Sequence, residues 1–414
     1  ERGVVDGIAD GIAKRDLTVA LTRCMIGFLL LAAWAALCRG ILNTYRRFFL
    51  PALSPALFNL VAVGVGVVLW VRGGDPKETI FAWALGVLAG GALQFLIQVP
   101  AVRRCGVPLR WRLDLAHEGF RRILRLMSPA LAGLAAVQLN IIVNSRLASD
   151  AAFGDGAVTR MTLAYRLVYL PIGVIGVALA TVTAVRVSRD VARDDLERFR
   201  DGVSTSLRFL VFFTVPSTVG LIVLSLPIVR LVFGHGHYLD DPTALPETAW
   251  ALTLYSTALF FFCAVKVLVP AFYATDRIRV PLFASLTAIV ANLTWALSTI
   301  RWFGWPTLVF GTAVAGLFNF AVLAWAFHRW IGRLDYRALL MTTGKVSISL
   351  VPMGWVAFAA NRGLESWIGT GSLLPKLIGT AVPILAAVVV YFAMGRLLGL
   401  REAVDAMSLR RRRR

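Results

Sequence analysis

Two positive side chains sit where their neighbours are least polar, and they are the residues whose type and position could do chemistry. Arg166 lies within Leu163-Ala-Tyr-Arg-Leu-Val-Tyr-Leu-Pro171, and Lys266 within Phe262-Cys-Ala-Val-Lys-Val-Leu-Val-Pro270. An Arg or Lys at the centre of an apolar helix costs about 2.5–3.5 kcal/mol on insertion scales, so such residues are kept where they have work to do. Tyr165 and Tyr169 flank Arg166 and bring phenolic hydroxyls suited to a polar ligand. Pro171 and Pro270 each follow a charge at short distance and can kink the helix. Pro270 cannot donate to the Lys266 carbonyl, so a bare acceptor coincides with the charge. No Asp or Glu falls deep in an apolar run, so these cations call for an anionic ligand and not for a carboxylate proton relay.

Three further arginines are placed less deeply. Arg23 lies about a turn and a half inside the first apolar run, Arg146 near the end of the fourth, and Arg230 near the end of the sixth. Arg23 and Arg146 are candidates for the same cationic site; snorkelling to the water interface is the competing reading for all three. No metal site or cofactor is expected. His235-Gly-His237 is two ligands short of a structural zinc site, and Cys24, Cys38, Cys105 and Cys263 show no metal-binding spacing. Neither a phosphate-binding glycine loop nor a nucleophile elbow is present, so an enzyme is not expected.

The elements that must hold these residues are membrane helices. Of the 414 residues 58% are hydrophobic and 16% charged, with a mean hydropathy of +0.73, against about 45–50% and 25% in soluble domains. Apolar runs bounded by Arg, Pro and Gly predict an all-α polytopic fold with about eleven spans. They lie near 18–38, 50–71, 79–100, 127–149, 158–185, 208–233, 247–274, 280–300, 307–327, 341–360 and 374–395, to within roughly 2–4 residues. Arginines collect in every second loop: Arg39, Arg46 and Arg47; Arg103 to Arg125; Arg186 to Arg208; Arg277 and Arg279; Arg329, Arg333 and Arg337; and Arg396, Arg401 and Arg410 to Arg414. Basic loops stay cytoplasmic, which puts the C-terminus inside and residues 1–17 outside. The formal charge of +20 therefore reports topology, and no nucleic-acid partner is expected. An outside start without a signal peptide predicts an odd number of spans ahead of Glu1.

Smaller signals refine the layout. Residues 116–126 (AHEGFRRILRL) read either as an amphipathic helix at the cytoplasmic interface, with Phe120, Ile123, Leu124 and Met127 on its apolar face, or as a plain helical linker. Thr44-Tyr-Arg46 before Pro51 and Thr275-Asp-Arg277 before Pro281 stand six spans apart, as a parallel six-helix repeat would place them. Glycines within the runs (Gly64/Gly66, Gly86/Gly90/Gly91, Gly173/Gly176) predict close helix packing.

Four stretches, in order, resemble the MurJ/MviN family of lipid II flippases. They are Arg39-Gly-Ile-Leu-Asn-Thr-Tyr-Arg-Arg-Phe through Asn59; Ser128-Pro-Ala-Leu-Ala-Gly through Asn140; Arg166 through Ala180; and Val265-Lys-Val-Leu-Val-Pro-Ala-Phe-Tyr273 through Pro281. The similarity runs from about residue 17 to 330, and more loosely to the end, as the order of these stretches along the spans requires. The resemblance implies about fourteen helices in the complete family fold, in two six-helix lobes plus a C-terminal helix pair, within the multidrug/oligosaccharidyl-lipid/polysaccharide exporter superfamily. It places the first span here at the family's fourth helix. Residues 1–126 would be half of the first lobe, 127–331 the second lobe, and 332–414 the extra pair with a basic tail.

The function so implied is movement of undecaprenyl-diphosphate-linked disaccharide-peptide from the cytoplasmic to the outer leaflet of the bacterial inner membrane, by alternating access. Arg166 stands where the family has a cavity arginine. Lipid II and the membrane would be the partners, with cell-wall synthesis enzymes as further candidates. Two positions depart from the family: Tyr165 where an Asp is frequent, and Asn144-Ser-Arg146 where some members carry an acid, which weakens the case for a cation site there. A related exporter of lipid-linked sugars or drugs, or a non-transporting cell-wall scaffold, are the competing readings. A drug exporter should show buried carboxylates, which the spans lack.

Overall fold

The computed structural model describes residues 2–73, 76–107, 118–150, 156–369 and 371–408. Among them the secondary structure is helical, with no strand. Backbone groups in lipid have no water to turn to, and helices satisfy them internally. Nine of the described helices are long and apolar enough to cross a bilayer, or ten when one bent pair counts as a single span. The chain is an all-α, multi-pass membrane protein.

The chain divides into two compact units, residues 1–117 and 118–414. The first contains α1 (Arg2–Thr44), α2 (Phe49–Arg72), α3 (Pro76–Leu96) and the short α4 (Val99–Arg104). Both α1 and α2 pack on α3. The approach depends on small residues: a Cβ on Gly91 would stand 2.9 Å from the Phe28 ring, and one on Gly86 would stand 2.6 Å from Val65. Gly64 and Gly173 face open space, so the packing role expected of them falls to their neighbours.

The second unit opens with α5 (Glu118–Ala148), followed by α6 (Ala157–Pro171), a π-helical turn (Ile172–Val177) and α7 (Ala178–Ala192). Next come α8 (Leu196–Val223), α9 (Ser225–Phe233), α10 (Ala244–Ser256) and α11 (Leu259–Ala274). The unit closes with α12 (Arg279–Phe303), α13 (Pro306–Trp330), α14 (Tyr336–Ile368), α15 (Leu373–Leu397) and α16 (Arg401–Ser408). Residues 118–126 are the first turns of α5 and not a separate interfacial helix; residues 116 and 117 lie outside the described residues. One 31-residue helix runs from Glu118 through Pro129 to Ala148.

The core of this unit is dry and aromatic. Phe199 and Phe327 stack at 6.1 Å, and Phe272 meets Phe327 edge-on at 6.3 Å. The α14–α15 hairpin packs against α8 and α9, and the Tyr391 hydroxyl donates to the Phe212 carbonyl at 2.6 Å. The short α16 is seated by Glu402, which lies 3.7 Å from Arg208 and accepts from Thr342. Large apolar side chains cover the outside. Trp302 and Phe303 end α12 and Trp367 ends α14, all strongly exposed, where an aromatic belt meets the lipid headgroups.

Candidate functional site

The geometry of α6 decides what Arg166 can do. Ala157, Arg160, Ala164 and Val168 are buried along one face, the three- and four-residue spacing of a helix packed on its neighbours. Tyr165, Arg166, Tyr169 and Leu170 emerge on the other face. The Tyr165 ring lies 6.0 Å from Tyr169 and meets the buried Tyr255 of α10 edge-on at 5.4 Å. Arg166 thus stands on a phenolic ledge.

Ion pairs among the described residues join Arg160 to Asp241 and Glu247, Arg186 to Asp190, Arg198 to Asp195, Arg208 to Glu402, and Arg230 to Glu365. Arg166 and Lys266 are in none of them. Lys266 is half-buried on α11, and no hydrogen bond among the described residues ties it to the tyrosine cluster. Helix α11 runs through Pro270, whereas the break of that span falls earlier, at Thr257–Ala258. Pro171 ends α6 and opens the π turn.

The remaining candidates are scattered. Arg23 is exposed on α1 in the first unit, and Arg146 is exposed near the end of α5. Two residues before Arg146, Asn144 is buried and donates to Asn292 of α12 at 3.2 Å. These amides bring no negative charge, and among the described residues no group of three His, Cys, Asp or Glu could hold a metal ion. The position does not fit a carboxylate cation site. His235 is exposed, and the His237 side chain lies outside the described residues.

An apolar hollow of about 450 Å³ borders the Arg166 turn. Leu167, Leu170 and Pro171 of α6 line one side, and Phe213, Met353 and Val388 of α8, α14 and α15 line others. The exposed cation, two phenols and an adjoining greasy groove together suit an amphiphile with an anionic head.

Three charged contacts escaped the sequence reading. Arg160 is 6% exposed and donates to the Glu247 and Asp241 carboxylates, and to the Thr243 hydroxyl at 3.2 Å. Asp241 in turn accepts from the Thr243 backbone N–H at 2.8 Å and its hydroxyl at 2.7 Å. The hydrogen bonds from Thr243, and then Arg160, hold the Asp241 carboxyl below its ordinary value. The acidic loop 234–247 was the available signal, since its carboxylates needed a cation. Arg230 does not merely snorkel: it pairs with Glu365 at 2.7 Å. Lys376 donates to the Gly234 carbonyl at 2.6 Å, a second tie between the α14–α15 hairpin and the end of α9.

Comparison with known proteins follows the same lines. A family model described as lipid II flippase MurJ matches residues 3–379. A probable lipid II flippase MurJ of Rhizobium meliloti (strain 1021) is 30% identical over 404 residues, covering 94% of this chain and 72% of that protein. A lipid II flippase MurJ of Burkholderia cenocepacia is 30% identical over 300 residues, covering 70% of this chain and 56% of that protein. Among solved structures, a lipid II flippase MurJ in an inward closed conformation superposes with a TM-score of 0.70 at 24% identity, over 91% of this chain and 74% of that one. A MATE transporter of Vibrio cholerae shares the fold more distantly, with a TM-score of 0.52 at 15% identity, over 74% of this chain and 68% of that one. Since the family model spans nearly the whole described length, the chain belongs to the MurJ lipid II flippase family.

Proposed function

We propose that this protein is a transporter that carries lipid II, the undecaprenyl-diphosphate-linked peptidoglycan precursor, from the cytoplasmic to the outer leaflet of a bacterial inner membrane. The observation that carries the reading is the juxtaposition on α6 of Arg166, exposed and in no ion pair among the described residues, with the apolar hollow lined by Leu167, Leu170 and Pro171. A diphosphate needs cations and hydroxyl donors; a polyprenyl tail needs a greasy path that need not be dry. Arg166 and Lys266 hold the diphosphate, Tyr165 and Tyr169 hydrogen-bond its edges, and the tail stays against lipid. Arg146 would extend the cationic surface within the second unit.

Direction follows from electrostatics. A diphosphate leaving a negative interior gains about 2.3 kcal/mol per charge per 100 mV. Two charges supply roughly 4–5 kcal/mol, so the potential alone can drive the step. The arginine-rich loops support a cytoplasmic C-terminus, and the expected division into residues 1–126, 127–331 and 332–414 is part of the same proposal. Cell-wall synthesis enzymes are the proteins that would supply and consume the lipid on either face.

The test is Arg166→Glu in the full-length protein, scored by exposure of lipid II at the outer leaflet of depleted cells. Loss of exposure with normal membrane insertion is the expected result. Unchanged exposure would remove Arg166 from the mechanism.

A further inference from the structure

Two neighbouring spans of the second unit depart from regular α-helix near their middles, the fifth by a π turn within one continuous helix and the seventh by a break. The fifth span consists of α6, with 15 residues, then the π turn, then α7 with 15. The seventh consists of α10, with 13 residues, then a break, then α11 with 16. The first halves pack on each other, α6 on α10, while α7 and the π turn pack on α11. The π turn therefore stands beside the first turns of α11, just past the break.

Each interruption also has a local cause. Pro171 supplies no N–H to the preceding turn and crowds it, and a π turn takes up the slack, as such turns do at functional sites. In the seventh span Ser256 and Thr257 turn their hydroxyls back on the Leu252 and Leu254 carbonyls, at 2.6 and 2.7 Å. That competes with the helix ladder. The Ser256 carbonyl is instead taken by the Thr218 hydroxyl of α8 at 3.1 Å, and the axis bends by 42°.

The ties within each half differ from those across the interruption. Arg160 clamps α6 to Asp241, Thr243 and Glu247 at the start of α10, and Tyr165 leans on Tyr255. At the π turn itself the approach to α11 is close: a Cβ on Gly176 would stand 2.8 Å from the Cys263 sulfur and 3.4 Å from its Cα. Arg166 belongs to the first half, and Lys266 to the second.

We propose that these interruptions form one joint: α6 with α10 moves as one body, α7 with α11 as another, and the bend sets the separation of Arg166 from Lys266. Arg160 is the positioning residue that makes the first pair a single body. The idea rests on the lipid II reading only for what is held between the two cations, not for whether the joint bends. Closing the angle brings the cations onto a shared diphosphate; opening it leaves each with a partial hold and releases the anion. Each half is about 22 Å long, so a change of about 10° in bend moves its far end by about 4 Å.

The experiment places two spin-label pairs in the full-length protein in nanodiscs, using encoded non-natural residues so that the cysteines stay native. One pair spans the fifth interruption, at Thr162 and Val185; the other spans the seventh, at Trp250 and Tyr273. All four positions are exposed. Undecaprenyl diphosphate is the probe. The expected result is a change of both distances in the same sense when the probe is added, with Arg160→Met uncoupling the two and Arg160→Lys restoring their concerted change. A shift in one pair only, or none in either, overturns the joint. Lipid II exposure measured with the same wild-type protein in sealed vesicles separates the claims. Exposure without a distance change refutes the joint and leaves transport standing, while a distance change without exposure refutes transport and leaves the joint standing.

Discussion

The buried amide pair between α5 and α12 offers a sharp test of how polar groups act in this protein. Asn292 is fully buried and Asn144 is 8% exposed, and one bond of 3.2 Å joins them. Each has a leftover atom: the Asn144 Oδ1 and the Asn292 Nδ2 find no partner among the described residues. Interhelical hydrogen bonds in membranes average about 0.6 kcal/mol and reach about 1.7. Replacing Asn292 with Leu removes that bond and strands the whole Asn144 amide, whose burial without a partner costs about 1–3 kcal/mol. The single variant should therefore lose about 2 kcal/mol. The Asn144→Leu/Asn292→Leu double variant removes the stranded atoms along with the bond and should return to within about 1 kcal/mol of the parent. Leu is the replacement to use because its branched end follows the amide outline, and a Cβ on Gly311 would stand 3.5 Å from the Asn292 Nδ2, leaving little room for more. A double-mutant cycle on the purified protein, read by unfolding in mixed dodecyl sulfate micelles, measures the coupling. Additive losses, near 4 kcal/mol in the double variant, would refute the reasoning, because they would mean the amides stabilise through something other than each other.

Two further outcomes follow from named contacts. Because Thr243 and Arg160 hold the Asp241 carboxyl below its ordinary value, its contribution to stability is present above about pH 4 and lost as pH falls through the lowered value; Asp241→Asn should lower the unfolding temperature at pH 7, and the gap from the parent should close in acid. Gly176→Val forces a side chain into Cys263 and should cost about 1–3 kcal/mol by overpacking, with Cys263→Ala in the same chain recovering part of the loss in thermal unfolding.

Much of this protein is readable from its residues in order. A span is a property of twenty consecutive side chains, because lipid tests each stretch separately, and a helix or helix pair stands at each of the eleven stretches that hydropathy marks. The α5 helix is the instructive deviation. Residues 116–126 read either as an interfacial amphipathic helix or as a plain helical linker, and the described part, from Glu118, runs unbroken through Pro129 into the span. The cations Arg166 and Lys266 were equally legible, since a charge in an apolar run declares itself.

Pairing was not legible. Arg160 sits in a stretch that reads as ordinary membrane entry, and its acids lie 81 and 87 residues away. Arg230 and Glu365 are separated by 135 residues, so Arg230 looked like a side chain reaching for water. Hydropathy carries no information on which helices become neighbours, because lipid is as apolar as the faces it replaces. The sequence by itself therefore determined that the chain crosses the membrane many times and carries cations inside it. Only the tertiary structure decided which of those charges are paired among the described residues, and that the π turn of one span lies beside a neighbouring broken span, because each depends on contacts between helices far apart along the chain.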